Sequence, residues 1–255
     1  MSFEFIAQQL RQQHDQVRFR QRICHSGHAA QSNGREITIE GKKYLNFSSN
    51  DYLGLNNHPL IKKAMQEGTD KFGLSASASN LVTGFSYAHQ TLENEICQWL
   101  NKPRCLLFSS GFSANLGVLQ SLGQPSTDIL LDKLSHASLI DGSFSSKAKV
   151  KRFRHNDINH LNTLLTGLNK NITTDLANNT MTSDHLIVSE GIFSMDGDQA
   201  PIKKLSTLSA DFDAKLFIDD AHSIGVIGNR GEGSSSLAKI DIVMATFGKA
   251  IASSG

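Results

Sequence analysis

The stretch KLFIDDAHSIG, residues 215–225, holds a short run of apolar residues that ends abruptly in two aspartates, a histidine and a glycine. Nothing polar alternates within Leu216–Ile218, so the run reads as a strand buried on both faces. The same form recurs on either side of it. CLLFSS, DILLD, KVKRF and HLIVSE come before it and IDIVMATF after it. Between them lie the helix-length segments 112–122, 136–146, 157–169 and 201–212. Buried strands alternating with amphipathic helices predict an α/β fold, with a mostly parallel sheet lying between helices. In such sheets ligands bind beyond the carboxyl ends of the strands. The strand ends here carry Ser109-Ser110-Gly111, Ser189-Glu190, Asp219-Asp220-Ala221-His222 and Thr246-Phe247-Gly248-Lys249.

Before this rhythmic region, residues 3–23 predict a loose amphipathic helix, and GREITIEGKKYLNF predicts a hairpin turning at Gly41. A helix is expected from Pro59, and another over about 86–101 that stops before Pro103. Residues 170–184 are polar and read as a surface loop. The expected division is an N-terminal segment of residues 1–45 and a large domain of residues 46–255.

Composition narrows the functional classes. The 255 residues carry 25 Lys+Arg against 24 Asp+Glu, a formal net charge of +1, which argues against a polybasic nucleic-acid domain. Charged residues are 19% of the chain, below the usual share of about 25%, which argues against disorder. Cys24, Cys97 and Cys105 are widely spaced with no C-x-x-C, which disfavours a disulfide framework and fits a reducing compartment. The N-terminus turns polar too early for a signal peptide, and no apolar run reaches the roughly 18 residues that cross a bilayer. The expectation is a cytoplasmic protein with no nucleic-acid or membrane partner.

The common motifs are absent. Gly248-Lys249 lacks the upstream glycine and following hydroxyl of a P-loop, and no G-x-G-x-x-G joins a strand to a helix. GFSAN at 111–115 resembles a nucleophile elbow, except that Asn115 stands in place of the second glycine. The basic stretch Lys147, Lys149, Lys151, Arg152 and Arg154 reads most cheaply as a solvated edge strand. The histidines show no metal-ligand spacing, and no metal is expected. Asp219, however, ends a buried strand, where a carboxylate needs a partner, and a protonated nitrogen heterocycle would supply one. Pyridoxal 5′-phosphate (PLP) needs a lysine for its Schiff base and a carboxylate facing its ring nitrogen. Lys249 and Asp219 can fill those roles, and Gly111 and Phe112 open a helix whose N–H groups suit a phosphate. Taken one at a time, a strand-end lysine is usually a surface cation, and Ser-Gly before a helix is commonly only a cap.

The stretches LNFSSNDYLGLNNHP (45–59), LSHASLIDG (134–142), SEGIFSMDGDQAPI (189–202), IDDAHSIGVIGNRGEGS (218–234) and TFGKA (246–250) together resemble the α-oxoamine synthases. These are PLP-dependent acyltransferases of fold type I that act as homodimers. The resemblance implies catalytic roles for Lys249, His136 and Asp219, with Lys249 as the Schiff-base lysine and Asp219 facing the ring nitrogen. It implies that His222 hydrogen-bonds the ring hydroxyl and that His136 stacks on the ring. Gly111 and Phe112 would offer backbone donors to the cofactor, and Ser194 and Thr246 hydroxyl contacts. Arg20 would meet the acyl substrate's carboxylate, with Arg22 as the alternative, and Asn50 would lie near the substrate. Within the family, FSSNDYLGL and FSMDGDQAPI are most similar to members that join L-alanine to a pimeloyl thioester; the alternatives are a member that joins glycine or serine to a different acyl-CoA, or a catalytically silent PLP-binding fragment. Family chains continue well past the Schiff-base lysine, so the large domain is expected to be incomplete here. The family's glycine-rich stretch reads LSASASN at 74–80.

Overall fold

A computed structural model describes residues 3–18, 22, 24, 35–170 and 184–253. The chain forms two compact units, residues 1–49 and 50–255. In the first unit, α1 spans Glu4–Asp15, and β1 (Glu36–Ile39) pairs antiparallel with β2 (Lys42–Leu45). The hairpin loop is Glu40-Gly41, with φ of +49° and +77°. Positive φ at both loop residues is the turn whose twist matches the strands, which is why glycine sits there. The helix expected over 3–23 is shorter than its pattern. It stops at Asp15, where the chain turns through Val17 at φ +53° and the N–H groups of residues 16–18 fold back onto the last carbonyls.

The second unit begins with α2 (Pro59–Phe72) and α3 (Tyr87–Leu100). Pro59 occupies the first turn of α2, where its missing N–H costs nothing. Asn101 closes α3 in the left-handed region. There follow α4 (Gly111–Leu122), β3 (Thr127–Asp132), α5 (Ala137–Ser145), β4 (Lys149–Phe153) and α6 (Ile158–Lys170). The remaining elements are β5 (Asp184–Glu190), α7 (Ile202–Asp211), β6 (Lys215–Asp219) and β7 (Ile242–Met244). The five strands β3–β7 form one parallel sheet in the order β4-β3-β5-β6-β7.

Both faces of that sheet are covered. Leu130, Ile187, Leu216 and Ile218 pack with Leu161 and Leu165 of α6 and Ile202 and Leu205 of α7. Ile129, Leu131, Val188 and Phe217 point the other way, against Ala114 and Leu119 of α4 and Leu139 of α5. Successive strand residues face opposite layers and both layers are apolar, so the strands carry continuous apolar runs. The basic strand β4 lies at the sheet edge, with Lys149, Lys151 and Arg152 exposed.

One expected strand is missing. CLLFSS forms no strand and joins no sheet, and Leu106 is 78% exposed. A strand needs a neighbour to satisfy its backbone groups, and among the described residues none lies beside this one. Between it and β7 is an apolar cavity of about 930 Å³, lined by Ile96, Leu107, Ala114, Phe217 and Val243 among others. The strand expected from IDIVMATF shrinks to Ile242–Met244. Of the segment expected as a polar loop, residues 171–183 lie outside the described residues.

Candidate functional site

The parallel register brings the carboxyl ends of the strands into line. Glu190 of β5 pairs with Asp219 of β6, and Asp219 pairs with Met244 of β7, five residues before Lys249. Two carboxyl groups therefore end adjacent buried strands, with Asp219 and Glu190 only 4% and 3% exposed.

Neutral donors hold Asp219. Asn115 Nδ2 donates to Oδ2 at 2.7 Å, and the Ala221 N–H donates to Oδ1 at 2.9 Å. Burial pushes the Asp219 carboxyl above its ordinary range, and these two bonds together with the Lys249 charge pull against that rise. The second Asn115 N–H donates to Ser138 Oγ at 2.8 Å. Ser138 Oγ lies 2.8 Å from His136 Nδ1, which also accepts the Ser138 N–H at 3.2 Å. The exposed ring of His136 is thus tied through Ser138 and Asn115 to the buried carboxylate. His136 is held from its backbone side as well, its N–H donating to Glu190 Oε1 at 2.6 Å. Burial raises the Glu190 pKa to about 8, with the neighbouring Asp219 charge adding to the rise, so this carboxyl keeps its proton at neutral pH.

A second chain of contacts starts at Lys249. Its Nζ lies 2.8 Å from His222 Nε2, and His222 Nδ1 lies 2.7 Å from the Tyr52 hydroxyl. The Tyr52 O–H donates to Asn50 Oδ1 at 3.2 Å. Burial, with the charge of Lys249, lowers the His222 pKa to about 4, so the ring is neutral. An ammonium has no lone pair, so Lys249 donates, His222 accepts at Nε2, and His222 Nδ1–H donates to Tyr52. Burial also lowers the Lys249 pKa, which the Asp219 and Glu190 charges partly offset. Desolvation thus makes this amine readier to give up its proton than a surface lysine.

The start of α4 borders the same region. Ser110 caps the helix, accepting the Ser113 N–H at 3.1 Å, while the first-turn N–H groups of Gly111 and Phe112 have no acceptor within the helix. A Cβ on Gly111 would lie 3.2 Å from Met244 Sδ and 3.8 Å from Thr246 Cβ, so this helix end is seated against the end of β7.

Of the residues expected from sequence, Lys249, His222 and Asn50 share one hydrogen-bonded chain, and Asp219 and His136 share another. Gly111 and Thr246 face each other beside them. Ser194 is exposed in the segment after β5 and makes no hydrogen bond to any of these groups among the described residues. Arg20 lies outside the described residues, and Arg22 belongs to the N-terminal unit. Sequence reasoning missed Asn115, Ser138 and Tyr52 as members of the site, and it placed Glu190 at a strand end without giving it a role. Asn115 drew notice only as the residue that spoils a nucleophile elbow, and the structure shows it holding Asp219.

Comparison with known proteins agrees with this arrangement of sheet and strand ends. The sequence pattern described as aminotransferase class I and II matches residues 42–255, and the chain belongs to that family. Its fold is that of the PLP-dependent transferases of fold type I. The chain is 48% identical over 226 residues to 8-amino-7-oxononanoate synthase of Vibrio atlanticus, covering 88% of this chain and 53% of that protein. It is 46% identical to the enzyme of the same name from Vibrio campbellii, covering 86% and 54%. Among solved structures, a serine palmitoyltransferase from S. paucimobilis with a bound PLP–myriocin aldimine superposes with a TM-score of 0.83 at 27% identity. That match covers 99% of this chain and 63% of the other. The chain therefore spans about half the length of the curated relatives it matches.

The residues present fit PLP. Asp219 is a buried carboxylate whose hydrogen-bond partners are all neutral, an environment completed by a protonated ring nitrogen. Lys249 supplies an amine of lowered basicity, and the α4 N-terminus supplies N–H groups beside a glycine that leaves no side chain in the way.

Proposed function

We propose that this chain carries the cofactor-binding part of a PLP-dependent acyltransferase. The reaction joins L-alanine to a pimeloyl thioester, on coenzyme A or on an acyl-carrier protein, and gives 8-amino-7-oxononanoate with loss of the thiol and carbon dioxide. The observation that carries this reading is the buried Asp219 carboxylate beside the Lys249 amine at the carboxyl end of a parallel sheet. The names of the 46–48% identical relatives support the choice of substrates.

PLP, when bound, supplies an electron sink in conjugation with the α-carbon of the amino acid. Lys249 would hold the cofactor and, as a free amine, would be the base for the substrate's α-proton. Its lowered basicity suits a group that must lose and regain a proton near neutral pH. Asp219 keeps a negative charge opposite the ring nitrogen, held in place by Asn115 and the Ala221 N–H. Gly111 and Phe112 at the start of α4 bind the phosphate, and Ser194 and Thr246 add hydroxyl contacts. His222 orients the ring hydroxyl, and His136 covers the ring face with its orientation set by Ser138. Asn50, at the end of the Lys249–His222–Tyr52 chain, would lie near the substrate, and Arg20, or Arg22 as the alternative, would meet the acyl substrate's carboxylate. The whole enzyme acts as a cytoplasmic homodimer. In support, Leu74 and Leu81 are 92% and 97% exposed on the segment between α2 and α3, an apolar surface of the kind a second subunit covers.

The test is release of carbon dioxide from carboxyl-labelled L-alanine by the protein with PLP and pimeloyl-CoA, run beside glycine and L-serine with pimeloyl- and palmitoyl-CoA. Release that needs both alanine and the pimeloyl thioester supports the reading. Turnover confined to serine with the palmitoyl thioester contradicts it.

A further inference from the structure

Outside the strand-end site, three chain segments meet at a single imidazole. Asp132, the last residue of β3, is fully buried and accepts the N–H groups of Leu134 at 2.8 Å and Asn156 at 2.9 Å. His155, just past the end of β4, lies between that carboxylate and a second one. Its Nδ1 is 3.0 Å from Asp132 Oδ1, and its Nε2 is 2.8 Å from Asp198 Oδ2. Asn156, held at φ +54°, donates from Nδ2 to the same Asp198 oxygen at 2.7 Å. The imidazole also packs edge-on against Phe193, with centroids 4.4 Å apart and planes at 88°.

Asp198 and Phe193 belong to the segment between β5 and α7, which folds back on itself. The Phe193 N–H donates to Asp198 O at 3.0 Å, the Gly197 N–H donates to Phe193 O at 2.8 Å, and Ile192 bridges Gln199. Ser194 rides on this turn. On the other side, Asp132 begins the segment that carries His136. One imidazole therefore ties together the two strand-end segments that bear these residues.

The chemistry of the clamp is set by its acceptors. A carboxylate has no proton to give, so keeping both carboxylate contacts needs an N–H at each ring nitrogen, which describes an imidazolium; Asn156 Nδ2 also lies 3.2 Å from Nε2 and gives an N–H to Asp198 Oδ2. A neutral imidazole would turn one lone pair toward a carboxylate and lose that contact. Burial disfavours the charge, yet the bonds to Asp132 and Asp198 outweigh it and raise the His155 pKa above the ordinary value. Lys133 and Asp196 lie on the same segments, and neither side chain bonds to the His155 ring among the described residues, while three further groups are engaged elsewhere. Arg154 pairs with Asp157 at 2.8 Å, Arg152 donates to the Lys133 carbonyl, and His160 on α6 accepts the Arg154 N–H at 2.9 Å.

We propose that His155, as an imidazolium, is a positioning residue that locks the Ser194-bearing turn onto the His136-bearing segment. The rim of the site then keeps its form only while His155 holds both ring protons. The roles of Ser194 and His136 rest on the function proposed above, whereas the clamp itself does not.

The experiment follows the His155 ring by NMR across pH in the protein without added PLP, with the signal assigned by its loss in His155→Gln. Amide exchange at Phe193 and Gly197 is read in the same samples. The expected result is a His155 titration above the ordinary imidazole value of about 6.5. In the same step, exchange at the two amides rises at least about tenfold beyond its intrinsic pH dependence, the effect of losing one charge-assisted bond. Asp198→Asn should abolish that step, because an amide N–H can donate to a neutral Nε2 and keep the turn tied. A His155 titration at or below the ordinary value, no exchange step in the wild type, or an unchanged step in Asp198→Asn would each overturn the proposal. PLP attachment at Lys249 is a separate readout. A clamp without attachment defeats the assigned roles of Ser194 and His136, and attachment without a clamp defeats only the clamp.

Discussion

Replacing Glu190 with glutamine keeps the shape of a buried carboxyl and removes its titration. The glutamine side chain still offers an oxygen to the His136 N–H, which in the wild type donates to Glu190 Oε1 at 2.6 Å. In the folded chain burial and the Asp219 charge raise the Glu190 pKa from 4.5 to about 8, so the unfolded chain loses this proton first. Wild-type stability therefore falls as pH rises from about 4.5 to about 8, and the glutamine variant is spared that loss. At about 1.4 kcal/mol per pH unit, the advantage of Glu190→Gln should grow by about 2–3 kcal/mol between about pH 5 and pH 7 and level off above about pH 9. Asp219 and Asp220 titrate in both proteins, so the difference between the two curves isolates Glu190 and its coupling to Asp219. Urea unfolding of both at several pH values reads it directly. A difference that stays flat with pH, or an advantage that shrinks as pH rises, would refute the account of a protonated Glu190.

Other substitutions probe the same strand ends. Asn115→Leu removes the donor to a buried carboxylate and should cost about 2–4 kcal/mol by urea unfolding, with the loss shrinking as pH falls and Asp219 takes up a proton. Gly191→Ala would place a Cβ 2.1 Å from Asp220 Oδ1, and thermal unfolding should show a loss of about 2 kcal/mol or more. Tyr52→Phe removes the hydroxyl that receives the His222 Nδ1–H, and should leave stability within about 1 kcal/mol while changing the His222 Nδ1 signal in a nitrogen NMR spectrum.

The alternation of strand and helix was legible because parallel strands buried on both faces cannot carry polar residues, so DILLD, HLIVSE and KLFIDD stand out as unbroken apolar runs. That signal reports apolar content alone, which is why CLLF reads as a strand and yet joins no sheet and leaves Leu106 78% exposed. The hairpin was legible through Gly41, but the end of α1 was not, since Val17 turns the chain without a glycine. At the site, Lys249 and Asp219 were visible because strand ends are where an α/β sheet places its chemistry. Their supports were not. Asn115 reaches Asp219 across 104 residues and Tyr52 reaches His222 across 170, contacts that no local pattern encodes. Only the likeness of NDYLGL to a known family drew attention to the Tyr52 region at all.

The central claim is that Lys249 is the lysine that binds PLP. Borohydride reduction of the purified protein with added PLP, followed by peptide mass mapping, tests it most directly. The account predicts one pyridoxyl adduct, on Lys249, and none in Lys249→Ala. A protein shown by circular dichroism to be folded that carries no adduct, or carries it on other lysines while Lys249 stays unmodified, would contradict it.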